Sequence, residues 1–290
     1  MSDLLSEKGV IPAEDVYYLL GGENKDKIKI LDATFGAVRG LSPYQAFLGT
    51  RIENAQFFDI DVVADQEAPL PHTLPSPEYF AQCVSSMGIS NDDHVVIYDQ
   101  SGAYMASARA WWMFRAFGHD KVYVLDGGLS AWKARGFPVS SGPAKAPASG
   151  NFEAEYPSGL VVSRNDIIDN LETGSFLVLD ARPAVRFTGL SPEPRPGMRA
   201  GHIPKSINLP FAEMLDPSSM FKPDKILEHL FRARELSPDA KLAVSCGSGV
   251  TACVVALALF KARGQEAAIY DGSWSEWGDK NADTPIEVSA

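Results

Sequence analysis

Short apolar runs recur along the chain, each separated from the next by a longer stretch with helical spacing. In the second half the short runs are residues 176–180, 242–245 and 267–270. Residues 163–171, 222–234 and 250–263 space their apolar positions as helices do. Ser163 stands where an N-cap belongs, and the last of these helices closes on Lys261-Ala262-Arg263-Gly264, a basic turn with a glycine stop. The first half repeats the alternation, with Ser76-Pro77-Glu78 opening a helix in cap-then-proline order. Buried strands spaced by helices predict an α/β fold, a parallel sheet covered on both faces.

The pattern occurs twice. Lys29-Ile30-Leu31-Asp32-Ala33 has its counterpart in Leu177-Val178-Leu179-Asp180-Ala181, and Val95-Val96-Ile97-Tyr98 in Leu242-Ala243-Val244-Ser245. Asp126-Gly127-Gly128-Leu129-Ser130-Ala131-Trp132 is answered by Asp271-Gly272-Ser273-Trp274-Ser275-Glu276-Trp277. The order is kept and the spacing is nearly constant, which predicts a tandem duplication. Residues 138–150, PVSSGPAKAPASG, have the composition of a linker. The expected organisation is a module over 1–137, a linker over 138–152 and a module over 153–290.

Length and charge agree with this and narrow the function. The 290 residues suit two domains, and a net charge of −11 argues against a surface that tracks nucleic-acid phosphates. Three cysteines, Cys83, Cys246 and Cys253, cannot make a disulfide framework, and no CxxC pair suggests a metal site. No apolar run is long enough to span a membrane. The opening MSDLLSEKGV lacks the features of a secretory leader, so a cytoplasmic location is expected.

Candidate chemistry concentrates in Ser245-Cys246-Gly247-Ser248-Gly249-Val250-Thr251. A strand ends at Cys246, and ligands of parallel sheets bind at such ends. A glycine-rich curl ahead of a helix can turn several backbone N–H groups inward, which stabilises an anion and favours a thiolate. Gly247 and Gly249 are expected to supply the backbone freedom. Cys253 and Cys83 fall on helices and are expected in the core. His94, His119 and His229 are expected at the surface or at helix ends, and Trp111-Trp112 in core packing.

The Cys-Gly-Ser-Gly-Val-Thr loop, the duplicated module and the Asp-Gly-Gly landmark resemble the tandem-domain rhodanese-like sulfurtransferases. This form of the loop is typical of their 3-mercaptopyruvate branch, whereas the thiosulfate branch carries basic residues after the cysteine. The resemblance implies two rhodanese-like modules with the nucleophile, Cys246, in the second only. Asp99 follows the matching first-half strand and cannot carry sulfur. The related phosphatases with a C-x5-R loop need an arginine that Thr251 and Ala252 do not provide.

From the resemblance, Arg186 in Arg-Phe-Thr-Gly and Arg195 in Pro-Glu-Pro-Arg would bind 3-mercaptopyruvate, together with Gly247, Gly249, Val250 and Thr251. Arg182 could instead pair with a structural acid. Ser248 would move protons, with His72 and Asp61 from the first module completing a relay between modules. His72 is equally readable as an ordinary loop residue in Pro-Leu-Pro-His-Thr-Leu-Pro. His202, in Ala200-Gly201-His202-Ile203-Pro204, matches a structural motif but continues Lys205-Ser206 where Gly-Ala is usual. No metal or cofactor is implied. The expected reaction passes the donor sulfur through a Cys246 persulfide to cyanide or an acceptor thiol such as thioredoxin, releasing pyruvate. Thiosulfate as donor, or a low-turnover sulfur carrier, are the alternatives.

Overall fold

The apolar runs pair side by side and in parallel. In the computed structural model, which describes residues 8–155 and 159–289, they form two five-stranded sheets in two compact units. Most of the N-terminal segment in which no leader is expected lies outside the described residues. Unit 1 contains the described residues of Met1–Gln66, Leu74–Ser158 and Pro217–Phe221, and unit 2 those of Glu67–Thr73, Gly159–Asp216 and Lys222–Ala290.

In unit 1 the elements run β1 (Val10–Ile11), α1 (Ala13–Gly21), β2 (Ile28–Asp32), α2 (Pro43–Gly49), β3 (Arg51–Ile52) and β4 (Gln56–Phe57). They continue with α3 (Pro77–Ser86), β5 (His94–Tyr98), α4 (Met105–Ala116), β6 (Val122–Leu125), α5 (Gly128–Ala134) and β7 (Val139–Ser140). Unit 2 has β8 (Val161–Val162), α6 (Arg164–Thr173), β9 (Leu177–Asp180), α7 (Ala184–Phe187) and β10 (Ile207–Asn208). It ends with α8 (Asp224–Arg232), β11 (Leu242–Ser245), α9 (Ala252–Arg263), β12 (Ala268–Tyr270) and α10 (Ser273–Trp277).

The duplication is visible in the topology. Strand order is β1-β6-β5-β2-β4 in one sheet and β8-β12-β11-β9-β10 in the other, all parallel. Register carries the match to single residues. Asp32 lies opposite Tyr98, and Asp180 opposite Ser245. Ala33 N donates to Tyr98 O, and Ala181 N to Ser245 O, both at 2.8 Å. The next residues, Asp99 and Cys246, therefore hold equivalent positions.

The helix ends follow the sequence signals. Ser163 caps α6 in a reciprocal box with Asp166, and the hydroxyl and N–H of Ser163 hold the Asp166 carboxyl below its ordinary range. Ser76 caps α3, with proline in its first turn. Gly264 ends α9 at φ 65°. That helix starts at Ala252, later than the periodicity predicts, because Val250 and Thr251 remain in the cysteine loop.

The proline- and glycine-rich segment is fastened through its main chain rather than by buried side chains. β7 pairs antiparallel with β3, and Gly142 N donates to Leu48 O at 2.7 Å. Arg51 donates to the carbonyls of Gly142 and Pro143, at 2.5 and 3.1 Å. A Cβ on Gly150 would lie 2.0 Å from Ile89 O, so only glycine fits there.

Two expectations about single residues fail, those for Cys83 and Gly247. His119 stands at the end of α4, its N–H donating to Phe114 O at 2.9 Å, and its ring is buried because Phe114 and Phe152 close over it. Cys83 is half-exposed beside Tyr79 rather than in the core. Gly247 has no left-handed backbone angle, whereas Gly249, at φ +74°, needs one. Trp111, Trp112 and Cys253 are buried as expected. Among the described residues no helix is long and apolar enough to cross a membrane.

Candidate active site

β11 delivers Cys246, 1% exposed, to the carboxyl edge of the second sheet. The chain then curls through Gly247 and Ser248 to Gly249, where the positive φ reverses its direction. Among the described residues, the N–H groups of Gly247, Ser248, Val250 and Thr251 have no hydrogen-bond partner. A loop rich in unpaired N–H groups at a helix start attracts negative charge. The Ser248 hydroxyl likewise makes no hydrogen bond among the described residues.

The curl is braced from two sides. The fully buried Ser273 hydroxyl accepts from Cys246 N and Gly249 N, each at 3.1 Å, and donates to Tyr270 O at 2.7 Å. Cys253, one helical turn on, donates its thiol to Gly249 O at 3.2 Å. Trp274 N donates to Cys246 O at 3.0 Å. Ser273 stands where the first half has Gly128, and both have positive φ (48° and 54°).

β9 and the turn after it bring in the arginines. Arg182, 1% exposed, donates to both oxygens of Asp180 at 2.6–3.1 Å, to Glu193 at 2.8 Å and to Gly201 O at 2.8 Å. Its guanidinium lies 4.1 Å over the ring of Trp274. It is thus the structural partner of Asp180. Arg186 on α7 donates to the same Glu193 carboxylate, its Nε at 3.1–3.2 Å. Two guanidiniums and two carboxylates form a closed group with no excess charge. Arg186 Nη2 lies 3.4 Å from where a Gly247 Cβ would be. That is an ordinary van der Waals distance, so neither space nor backbone angle requires glycine at 247.

Arg195 differs. Among the described residues no carboxylate lies within ion-pair distance of it, and it donates only to the Ser275 hydroxyl. Its charge is uncompensated beside the cysteine loop. His202 is structural: Nδ1 bonds Phe187 O at 2.8 Å and its ring stacks on Phe187 at 3.8 Å.

The equivalent loop of unit 1 is self-occupied. The Asp99 carboxylate accepts from Ser101 N at 3.0 Å, Gly102 N at 3.2 Å and the Ser101 and Ser107 hydroxyls at 2.8 Å. Thr34 stands in the place of Arg182, and its N–H and hydroxyl turn to Asp32, whose carboxyl burial pushes up. The side chain of Phe221 packs on Tyr104 at 4.5 Å. This loop holds its own anion and has no nucleophile.

Of the two relay residues expected from the first module, only Asp61 lies in unit 1. His72, at φ +60°, belongs to unit 2 with Ser248, whereas the exposed Asp61 belongs to unit 1. Asp61 N donates to the Asp59 carboxylate at 2.9 Å. Arg186 lies against Gly247, and Arg195 bonds Ser275, whose hydroxyl bonds Gly247 O. Glu193, Ser273 and Ser275 were missed. The available signal was the serine at 273 replacing a glycine of the repeat, together with the carboxylate inside Pro-Glu-Pro-Arg. Among the described residues no group of three or more His, Cys, Asp or Glu could hold a metal.

Comparison with known proteins places this geometry in a family. The rhodanese-like domain matches residues 13–135 and again residues 163–280. The 3-mercaptopyruvate sulfurtransferase of Rattus norvegicus is 42% identical over 253 residues, covering 86% of this chain and 84% of the relative. Thiosulfate/3-mercaptopyruvate sulfurtransferase 1, mitochondrial, of Arabidopsis thaliana is 39% identical over 297 residues, covering 95% and 78%. The crystal structure of SseA from Escherichia coli, described as a 3-mercaptopyruvate sulfotransferase of rhodanese fold, superposes with a TM-score of 0.80 at 35% identity. That match covers 92% of this chain and 99% of the other. A cysteine loop at the end of a central strand, in the second of two matching α/β units, thus has its explanation: the chain belongs to the rhodanese-like domain family, with two domains in tandem.

Proposed function

We propose that the protein is a 3-mercaptopyruvate sulfurtransferase. The Cys246 thiolate attacks the substrate sulfur, and the carbon–sulfur bond breaks with its electron pair left on carbon as the enolate of pyruvate. The thiol proton of the substrate ends on that carbon, so a Cys246 persulfide anion and pyruvate are formed. An acceptor thiolate or cyanide then takes the outer sulfur and returns the Cys246 thiolate. A thiol carried by a protein such as thioredoxin fits the second step.

The roles follow from the chemistry of each group. The N–H groups of Gly247, Ser248, Val250 and Thr251 would cradle the outer sulfur anion, with Gly249 setting the turn. Arg186 would polarise the ketone, and Arg195 would hold the carboxylate. Ser248 would carry the proton from sulfur to carbon, with His72 of the same unit as its partner.

The observation that carries the choice of donor is the single uncompensated guanidinium beside a loop without lysine or arginine. One positive charge matches the monoanion 3-mercaptopyruvate better than the thiosulfate dianion. With cyanide as acceptor, kcat/KM for 3-mercaptopyruvate should exceed that for thiosulfate by about tenfold or more. A preference for thiosulfate would overturn the assignment.

A further inference from the structure

Ser275 is the third residue of α10 and is 7% exposed. Its backbone N–H and its hydroxyl both bond the Gly247 carbonyl, at 2.9 and 2.6 Å. The same hydroxyl oxygen accepts from Arg195 Nη1. A guanidinium has no acceptor, so the direction of the chain is fixed. Arg195 donates to Ser275, and Ser275 directs its own proton to Gly247.

The Gly247–Ser248 peptide is planar and trans. A carbonyl held toward α10 therefore turns the Ser248 N–H the opposite way. That N–H is one of the four without a partner among the described residues. Hydrogen bonds in series polarise one another, and a charged donor at the head strengthens the series. The geometry points to Ser275 as a positioning residue that couples Arg195 to the cysteine loop: it fixes the Gly247–Ser248 peptide and passes the guanidinium's polarisation to the Ser248 N–H. The effect on substrate KM rests on the proposed role of Arg195, whereas the effect on the loop does not.

The test uses the full chain with S275A, R195Q and the double variant. The first readout is the rate of Cys246 alkylation by iodoacetamide, followed by peptide mass, which needs no sulfur donor. S275A and R195Q should each slow it by about fivefold, and the double variant should be no more than about twofold slower than either, because one chain is broken in each case. The second readout is KM for 3-mercaptopyruvate, which should rise about tenfold in S275A, a larger change than in kcat. A change confined to kcat would indicate a merely structural serine. R195Q alters an exposed side chain, so it tests the loop effect even if S275A does not fold. Unchanged alkylation in R195Q, or fully additive losses, would overturn the inference. If pyruvate release remained normal while that happened, the proposed reaction would stand without Ser275. A protein inert to 3-mercaptopyruvate but non-additive in alkylation would reverse that result.

Discussion

Arg182 shows how this fold keeps a charge in its interior. One buried guanidinium between two carboxylates would leave a net negative charge, and Arg186 cancels it through Glu193. Removing one member of such a group typically costs about 3–5 kcal/mol, because the others stay buried without it. His119 is a simpler case, a lone titratable ring among aromatics. Desolvation, aided by the charge of Lys121, pushes it down to about 4. In the unfolded chain a histidine titrates near 6.5. Between these values the unfolded chain binds a proton that the folded chain refuses. Stability from this group is therefore complete above about pH 6.5 and falls as pH drops toward about 4, by roughly 3 kcal/mol at most. H119F keeps an aromatic ring and should flatten that part of the pH dependence of the urea midpoint; an unchanged slope would contradict the burial argument. The sequence puts His119 at the surface or at a helix end, and it stands just after α4 with its ring buried. Its burial depends on Phe152, a contact that no local pattern announces.

At the level of elements, the strands and helices were legible because their signals are local. Capping serines, a glycine stop and runs of buried residues need no knowledge of the rest of the chain. The cysteine loop was legible only in outline. Its bracing depends on β12 lying beside β11, which brings Ser273 against Cys246 N and Gly249 N. S273A removes the shared acceptor and leaves the N–H of the buried Cys246 without it. It should lower stability by about 1–3 kcal/mol and slow turnover. Thermal melting together with kcat checks this, and a variant with wild-type Tm and kcat would show that the loop holds itself. Glu193 is a similar case. A carboxylate between two prolines looks exposed in sequence, but in the fold its side chain is 4% exposed between two arginines.

For the whole molecule, one ancestral module has been used in two ways. Sheet order and register are the same in both units, so the positions of Asp99 and Cys246 coincide. Their surroundings do not. Unit 1 fills its loop with the Asp99 carboxylate and has Thr34 for Arg182, whereas unit 2 keeps its loop N–H groups open beside Arg195. A thiol at position 99 should therefore not be enough: D99C introduced into C246S should restore no pyruvate release, and recovery of turnover would show that the arginines are dispensable. The duplication itself was legible, since its landmarks recur at nearly constant spacing. What each copy does was legible only where a residue type forbids chemistry, as aspartate does at position 99. The proposed reaction passes one sulfur through one residue. Intact and peptide mass spectrometry after 3-mercaptopyruvate without acceptor, with pyruvate counted alongside, tests it most directly. One added sulfur on Cys246 is expected for each pyruvate released, and neither in C246S. Sulfur carried on Cys83 or Cys253, or pyruvate released by C246S, would contradict it.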